Sequence, residues 1–132
     1  MNSFLALLVY GAILVFVDSL YLKHIAPHFG KMIAGIQGSP MRMKLGAAVV
    51  VYIALLGLWF TFVFKEKDTL DFWNTISRAF LLGLFTYAVY DFTNLALIKD
   101  YRLDLAVIDT VWGGLLFAGT TGLFLLIEKN CV

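Results

Sequence analysis

Four long apolar runs separated by polar segments dominate the pattern of hydrophobic and polar positions along the chain. A helix needs about 20 residues to cross the hydrocarbon of a bilayer, and each run has about that length. The pattern therefore predicts membrane-spanning helices at residues 3–22, 45–64, 76–98 and 105–127. We expect an all-α fold, a four-helix transmembrane bundle, that forms a single domain over residues 1–132.

The amino-acid composition favours lipid as the surroundings of this bundle. Of the 132 residues, 61% are hydrophobic and 14% are charged, whereas a soluble domain is roughly 45–50% apolar and about 25% charged. The formal net charge of +1 argues against a nucleic-acid partner, which would require a basic patch. The expected partners are the lipid bilayer and other membrane or assembly proteins.

The connection after the first run, residues 23–44, is the longest of the three. Pro27 and Pro40 lie in it together with three glycines, so we expect it to be partly irregular and to lie at the membrane interface. Several basic residues in the first and third connections are candidates for contact with lipid or with a partner protein. These residues are Lys23, Lys31, Arg42, Lys44 and Lys99.

The same basic residues bear on the orientation of the protein in the membrane. With four spans, both termini lie on the same side of the bilayer. The first and third connections carry more Lys and Arg than the opposite ends of the spans. Cytoplasmic segments are enriched in these residues, which predicts that both termini lie outside the cytoplasm.

Three aspartates interrupt the apolar runs. Asp18, Asp91 and Asp109 each lie inside a predicted span. Burying a carboxylate in a membrane costs free energy, so such a residue is expected to have a bonding partner or a function. Because neighbouring spans are antiparallel and a helix rises 1.5 Å per residue, all three fall at roughly 7–12 Å from the same membrane face. The sequence therefore predicts that the three acids converge.

Helical spacing adds aromatic and amide side chains to this group. Tyr87, Asp91 and Asn94 follow at i, i+4 and i+7 and share one helix face. Tyr and Trp can donate hydrogen bonds to carboxylates. The predicted polar cluster comprises Asp18, Tyr21, Tyr87, Tyr90, Asp91, Asn94, Asp109 and Trp112.

Several roles are open for this cluster. Three ionised carboxylates close together would repel one another, so some must be protonated, bound to a cation, or separated by hydrogen-bond donors. A cluster of hydrogen bonds that ties the helices together is the simplest interpretation. The functional alternatives are a proton-handling site, a cation site and a pocket for a lipid head group.

A stripe of small residues lies in the fourth run. It consists of Thr110, Gly114, Ala118 and Gly122. Small residues at this spacing allow two helices to approach closely, and we expect them to pack within the bundle rather than along a homodimer seam. His24 and His28 are separated by Pro27 and do not form a regular helical metal pair, so no metal or cofactor is expected.

The segment Tyr90–Ala96 reads YDFTNLA and is followed by Lys99 and by the pattern DxxWG from Asp109. This arrangement resembles a domain-of-unknown-function family of small four-span membrane proteins, with the signature YDLTNLA, a lysine and DxxWG. Within this signature, Phe92 takes the place of the Leu that is usual in the family. In the first span, Tyr21 occupies a position where Trp is common in the family. The resemblance implies a multi-pass membrane protein without an established reaction, with members in bacteria and in large viruses that have internal membranes.

Two functional hypotheses follow, and the sequence leaves open whether the protein is an enzyme. The first is a structural or accessory component of a membrane assembly, such as the inner membrane of a virion. The second is a small membrane enzyme or carrier that acts on a lipid, with Asp91 and Asp109 as acid–base or cation-binding groups. An open groove that reaches these two acids would favour the second hypothesis, and a dry, fully packed cluster would favour the first.

Overall fold

The computed structural model describes residues 1–131 and contains four long α-helices. Helix α1 is Ser3–Gln37, α2 is Leu45–Phe62, α3 is Phe72–Leu97 and α4 is Leu103–Cys131, with a short 3-10 helix at Phe64–Thr69 after α2. All four α-helices are long and apolar enough to cross a membrane. The prediction of an all-α bundle with four spans is therefore confirmed.

Helix α1 continues far beyond its predicted span. The prediction of an irregular connection is wrong for residues 23–37, which are helical with Pro27 inside the helix. Only residues 38–44 remain irregular. A proline removes one backbone N–H bond from a helix, and here that loss does not end the helix. The end comes at Gly38, whose φ of 73° is left-handed and whose N–H bonds to the carbonyl of Ala34 at 3.0 Å.

Apolar packing explains why the second half of α1 stays helical. Met32 of α1 is buried against Tyr101, Leu105 and Ala106, which lie at and just after the turn between α3 and α4. Partly buried apolar residues surround this group at helical spacing in α1: Ile25, Phe29, Ile33 and Ile36. This second core outweighs the local preference of the proline and glycines for a break.

The start of α3 is also set by a local contact. Asp71 caps this helix, because its side chain accepts a hydrogen bond from the backbone N–H of Asn74 at 2.7 Å. Capping of this kind satisfies a backbone donor that has no partner inside the helix. As a result α3 begins at Phe72, four residues before the predicted span.

Helices α3 and α4 form the closest pair in the bundle. A Cβ atom on Gly83 of α3 would collide with the backbone carbonyl of Gly113 in α4, and a Cβ on Gly114 would lie 2.8 Å from the ring of Phe80. In the predicted small-residue stripe, Thr110 and Gly114 are buried, whereas Ala118 and Gly122 are half-buried. A Cβ on Gly122 would meet Ile76 of α3 at 3.4 Å, so the stripe faces α3 within the same chain.

Toward the end of the bundle where α1 begins and α2 ends, the structure contains an aromatic core with two internal hydrogen bonds. Tyr10 of α1 stacks on Trp59 of α2 with ring centroids 3.7 Å apart, and Phe124 of α4 packs edge-on against both rings. The Tyr10 hydroxyl lies 2.9 Å from the hydroxyl of Thr120, and Trp59 Nε1 donates to Thr121 at 3.1 Å. These bonds hold α1 and α2 against α4.

Candidate functional site

Asp18 of α1 is the most completely bonded acid of the polar cluster. Its carboxylate accepts one hydrogen bond from the hydroxyl of Tyr52 in α2 at 2.5 Å and another from Nε1 of Trp112 in α4 at 3.0 Å. The side chain is 6% exposed. Three helices therefore meet at this carboxylate, and each of its two oxygens has a neutral donor.

Tyr52 is absent from the cluster predicted from the sequence. It lies seven residues after Leu45, the first residue of α2, or about 10 Å along the helix. Asp109 lies at a similar depth in α4. The same depth argument that grouped the aspartates could therefore have included Tyr52.

Asp109 of α4 is half-buried, and among residues 1–131 one of its two carboxylate oxygens accepts a hydrogen bond. Its Oδ1 accepts a hydrogen bond from the hydroxyl of Tyr21 in α1 at 2.9 Å. The Tyr21 ring in turn stacks on Trp112, with centroids 4.5 Å apart and planes 8° from parallel. This stack positions the donors of Asp18 and Asp109 next to each other.

Asp91 of α3 has no exposed surface. Its Oδ2 accepts a long hydrogen bond of 3.5 Å from the hydroxyl of Thr110, and Oδ1 has no hydrogen-bond partner among residues 1–131. Asp109 is the neighbour in sequence of Thr110, the residue that bonds to Asp91. Two ionised carboxylates close together repel, so a proton on one of them or a neutralising cation would lower the cost of this arrangement.

No basic side chain compensates these three acids in the described part of the chain. The ion pairs of residues 1–131 lie at the ends of the helices, as between Lys67 and Glu128 at 3.1 Å and between Arg102 and Asp104. An acidic site without a basic partner at membrane depth is costly. A proton on one of these acids, or a positively charged group of a ligand, would lower this cost.

The remaining predicted cluster residues of α3 lie on the side of an open cavity. Tyr87 is half-buried and its ring covers Gly113, since a Cβ atom on that glycine would overlap the ring. Tyr90 is 59% exposed and Asn94 is half-buried. Tyr101, which sequence analysis missed, also lines the cavity, and burial raises the pKa of its phenol so that the hydroxyl keeps its proton.

The cavity has a volume of about 1020 Å³ and touches all four helices. Asp18, Tyr21, Asn94 and Asp109 form part of its polar wall. Apolar side chains of α1 and α2 form another part of the wall: Leu22, Ile25, Ala26, Phe29, Ile33, Val51 and Leu55. Asp91 is not part of the wall.

The cavity is open at the surface of the bundle. Leu22, Val51 and Tyr90 line it and are 43%, 55% and 59% exposed. Residues 45–51 at the start of α2 include no buried residue, which means that this part of α2 stands away from the other helices. We call this open cavity, with its acidic wall and its apolar wall, the groove.

The predicted lipid-contacting basic residues divide into two sets. Arg42 and Lys44, in the connection before α2, line the groove. Lys23, Lys31 and Lys99 are exposed and lie outside its wall. Within residues 1–131, no group of three or more His, Cys, Asp or Glu side chains is arranged to hold a metal ion.

Comparison with known proteins agrees with this architecture. The family model described as "Predicted membrane protein (DUF2177)" matches residues 3–126. No curated protein and no solved structure matches the chain. The family resemblance suggested by the YDFTNLA segment is confirmed, and because the match covers almost the whole sequence, the chain belongs to the DUF2177 family of predicted membrane proteins.

Proposed function

We propose that this multi-pass membrane protein binds a lipid in the groove, as a carrier or as a small enzyme. The observation that carries this proposal is the open cavity of about 1020 Å³ that reaches Asp109 and Asp18. A cluster serving only to tie helices together needs no such space. Of the two functional hypotheses drawn from the sequence, the groove favours the small membrane enzyme or carrier that acts on a lipid.

The size and the wall of the groove suit an amphipathic molecule. Ligand sites in proteins are clefts of about 300–1,000 Å³ with mostly apolar walls and a few placed polar groups. Here the apolar wall continues to the exposed side chains of Leu22 and Val51, which in a bilayer would face acyl chains. A lipid could therefore enter sideways and keep its hydrocarbon against apolar residues.

The groups that would act on a lipid in the groove are the carboxyl groups of Asp109 and Asp91. Tyr21 occupies only one oxygen of Asp109, so this carboxyl group can also contact a head group. In this proposal Asp91, which is buried and bonded to Thr110 next to Asp109, exchanges a proton with Asp109. A carrier needs only the contact, and an enzyme would use the pair as general acid and base.

A structural role in a membrane assembly is the second candidate, and one observation favours it. Asp18 joins α1, α2 and α4 through the donors of Tyr52 and Trp112, as expected of a tie between helices. Such a role could place the protein in a bacterial membrane or in the inner membrane of a virion.

The two candidate functions make different predictions for Asp91→Asn, which keeps the shape of the side chain and removes the acid. Loss of lipid binding by a folded protein supports the lipid role, whereas loss of folded protein supports a structural tie between helices.

The test of lipid binding uses two matched tryptophan variants. Ala26 lines the groove and Ala54 is exposed on α2 outside it. The protein is placed in phosphatidylcholine nanodiscs with single-chain lipids that carry a photoactivatable diazirine: monoacylglycerol, lysophosphatidic acid or sphinganine 1-phosphate. We expect at least one probe to label groove residues, Ala26→Trp to abolish that labelling and Ala54→Trp to leave it unchanged. Equal labelling of both variants, or none in the wild type, would reject the proposal.

We further propose that the end of the groove lined by Arg42 and Lys44, which we call its mouth, faces the cytoplasm and that both termini lie outside the cytoplasm. The support is the excess of basic residues at that end of the bundle, where Arg42 and Lys44 line the groove and Lys99 lies exposed nearby. Cytoplasmic segments of membrane proteins carry this excess.

A further inference from the structure

The wall of the groove has two parts of different chemistry. In the part that α1 and α2 form, seven of the ten residues are apolar. In the part that α3, α4 and the turn between them form, Ile98 is apolar and the other six residues carry a hydroxyl, amide or carboxyl group. These six are Thr86, Tyr87, Tyr90, Asn94, Tyr101 and Asp109. A lipid in the groove therefore meets polar groups mainly from α3, α4 and their turn.

The polar groups in this part of the wall are mainly uncharged. Five of the six are hydroxyls or an amide, Asp109 is the sixth, and Arg42 and Lys44 enter the wall from the connection before α2 instead. Arg and Lys are the side chains that usually bind phosphate. Hydroxyl and amide groups both donate and accept hydrogen bonds, which matches the hydroxyls of an uncharged head group.

Two groups in this part of the wall have unused capacity for hydrogen bonds. Tyr101 is 8% exposed, and its hydroxyl has no hydrogen-bond partner among residues 1–131. A buried polar group without a partner is destabilising. Asp109 uses one carboxylate oxygen to accept from Tyr21, and its other oxygen is left for a ligand. Both residues can bond to a ligand without breaking a bond that joins the helices.

From these groups we infer that the groove binds a lipid whose head group is an uncharged polyol, such as glycerol or a sugar. The inference rests on the proposed lipid-binding function and names the class of lipid. The hydroxyls of the head group bond to Asn94, Tyr101 and Asp109. The acyl chain lies against the apolar residues of α1 and α2.

A hydroxyl fits Asp109 whether or not this residue carries a proton. It donates to an ionised carboxylate and accepts from a protonated carboxyl group. An ionised phosphate offers mainly acceptors and is repelled by an ionised carboxylate. Because Arg42 and Lys44 lie at the mouth, an anionic head group is the competing class, and the experiment includes it.

The experiment compares three diazirine probes with the same acyl chain, at equal mole fraction in dioleoylphosphatidylcholine nanodiscs. The 1-monoacylglycerol has two hydroxyls, the fatty acid methyl ester has none, and lysophosphatidic acid carries a phosphate in place of one hydroxyl. Groove-specific labelling is the yield of labelled wall peptides, measured by mass spectrometry, that Ala26→Trp abolishes. One neutral hydrogen bond corresponds to about fivefold in affinity, so the monoacylglycerol should exceed each other probe by about fivefold or more.

Two variants test the residues assigned to the head group. Asn94→Leu removes an amide and Tyr101→Phe removes a hydroxyl, each with little change in side-chain size. Each should lower the ratio of monoacylglycerol to methyl ester labelling by about fivefold, because the two probes share the ester and differ in their hydroxyls. Asn74→Leu is the matched control, since Asn74 is exposed in α3 and lies outside the wall. A residue that only supports the fold would change labelling by both probes alike.

The inference is overturned if the methyl ester or lysophosphatidic acid labels the wild-type groove as well as the monoacylglycerol, or if both variants keep the wild-type ratio. If Ala26→Trp still blocks that labelling, the groove binds lipid and only the class of head group is wrong. If no probe labels the groove, the proposed function itself fails. Tyr101→Phe removes a hydroxyl that bonds to nothing among residues 1–131, so this variant is expected to fold.

Discussion

The indole nitrogen of Trp112 in α4 lies 3.0 Å from a carboxylate oxygen of Asp18 in α1. The Trp112 ring also stacks on Tyr21, which donates to Asp109. One aromatic side chain thus supports the hydrogen bonds of two acids from two helices. The acidic wall of the groove depends on this contact for its geometry.

Trp112→Phe should destabilise the bundle, because it removes the donor to Asp18 while keeping most of the ring. Hydrogen bonds between helices in membranes contribute about 0.6 kcal/mol on average and up to about 1.7 kcal/mol, and a bond to a carboxylate belongs at the upper end. We therefore expect a loss of about 1–2 kcal/mol in the free energy of unfolding, measured by titration with sodium dodecyl sulfate. Trp73→Phe is the control, since Trp73 is 73% exposed; an equal loss in both variants would contradict the role of the bond.

Gly83→Ala should disrupt the closest helix pair. The new methyl group would meet the carbonyl of Gly113 and the side chain of Phe117, and backbone atoms cannot move aside as a flexible side chain can. Overpacking of this kind costs about 1–3 kcal/mol or more. Gly57→Ala adds the same methyl group in α2, where nothing lies within 4 Å, and should leave the unfolding free energy nearly unchanged. If the two variants are equally stable, α3 and α4 are not in the close contact described.

Met32→Ala should destabilise the second half of α1. Met32 is 7% exposed and packs with Tyr101, Leu105 and Ala106, so its truncation leaves a cavity in this second core. Replacing a buried Met by Ala costs about 2–5 kcal/mol, with the lower end expected near a helix end. His28→Ala on the exposed side of the same helix should cost much less. Amide hydrogen exchange of residues 25–37 provides the measurement, and rapid exchange there in the wild type would show that α1 ends earlier.

The proposed orientation can be tested with cysteine labelling in intact cells. Cys131 is exposed at the end of α4, and Ser39 lies at the opposite end of the bundle, next to the groove mouth. An impermeant maleimide should label Cys131 in the wild type from outside. It should label a Ser39→Cys variant in a Cys131→Ser background only after the cells are opened. The reverse pattern would place the groove mouth outside the cytoplasm.

The sequence was sufficient for the spans because hydropathy is a local property. Four apolar runs of about 20 residues predict four helices whatever their packing, and the family signature around Asp91 and Asp109 lies within one segment of chain. The depth of Asp18, Asp91 and Asp109 needed only the helical rise and the antiparallel order of the spans. At Pro27 the local signal for the end of a helix conflicted with tertiary packing, and the predicted break was wrong. The helix continues because Met32 is buried against residues about 70 positions away in the chain.

The sequence alone therefore determined the surroundings of this protein, its four helices and the common depth of its acids. Tertiary structure decided that Tyr52 reaches Asp18, that Asp91 is fully buried, and that a groove opens where α2 stands away from the bundle. The physical reason is that a gap between helices depends on which side chains meet across it. Those contacts join residues far apart in the chain, and no local pattern of polar and apolar positions encodes the distance between them.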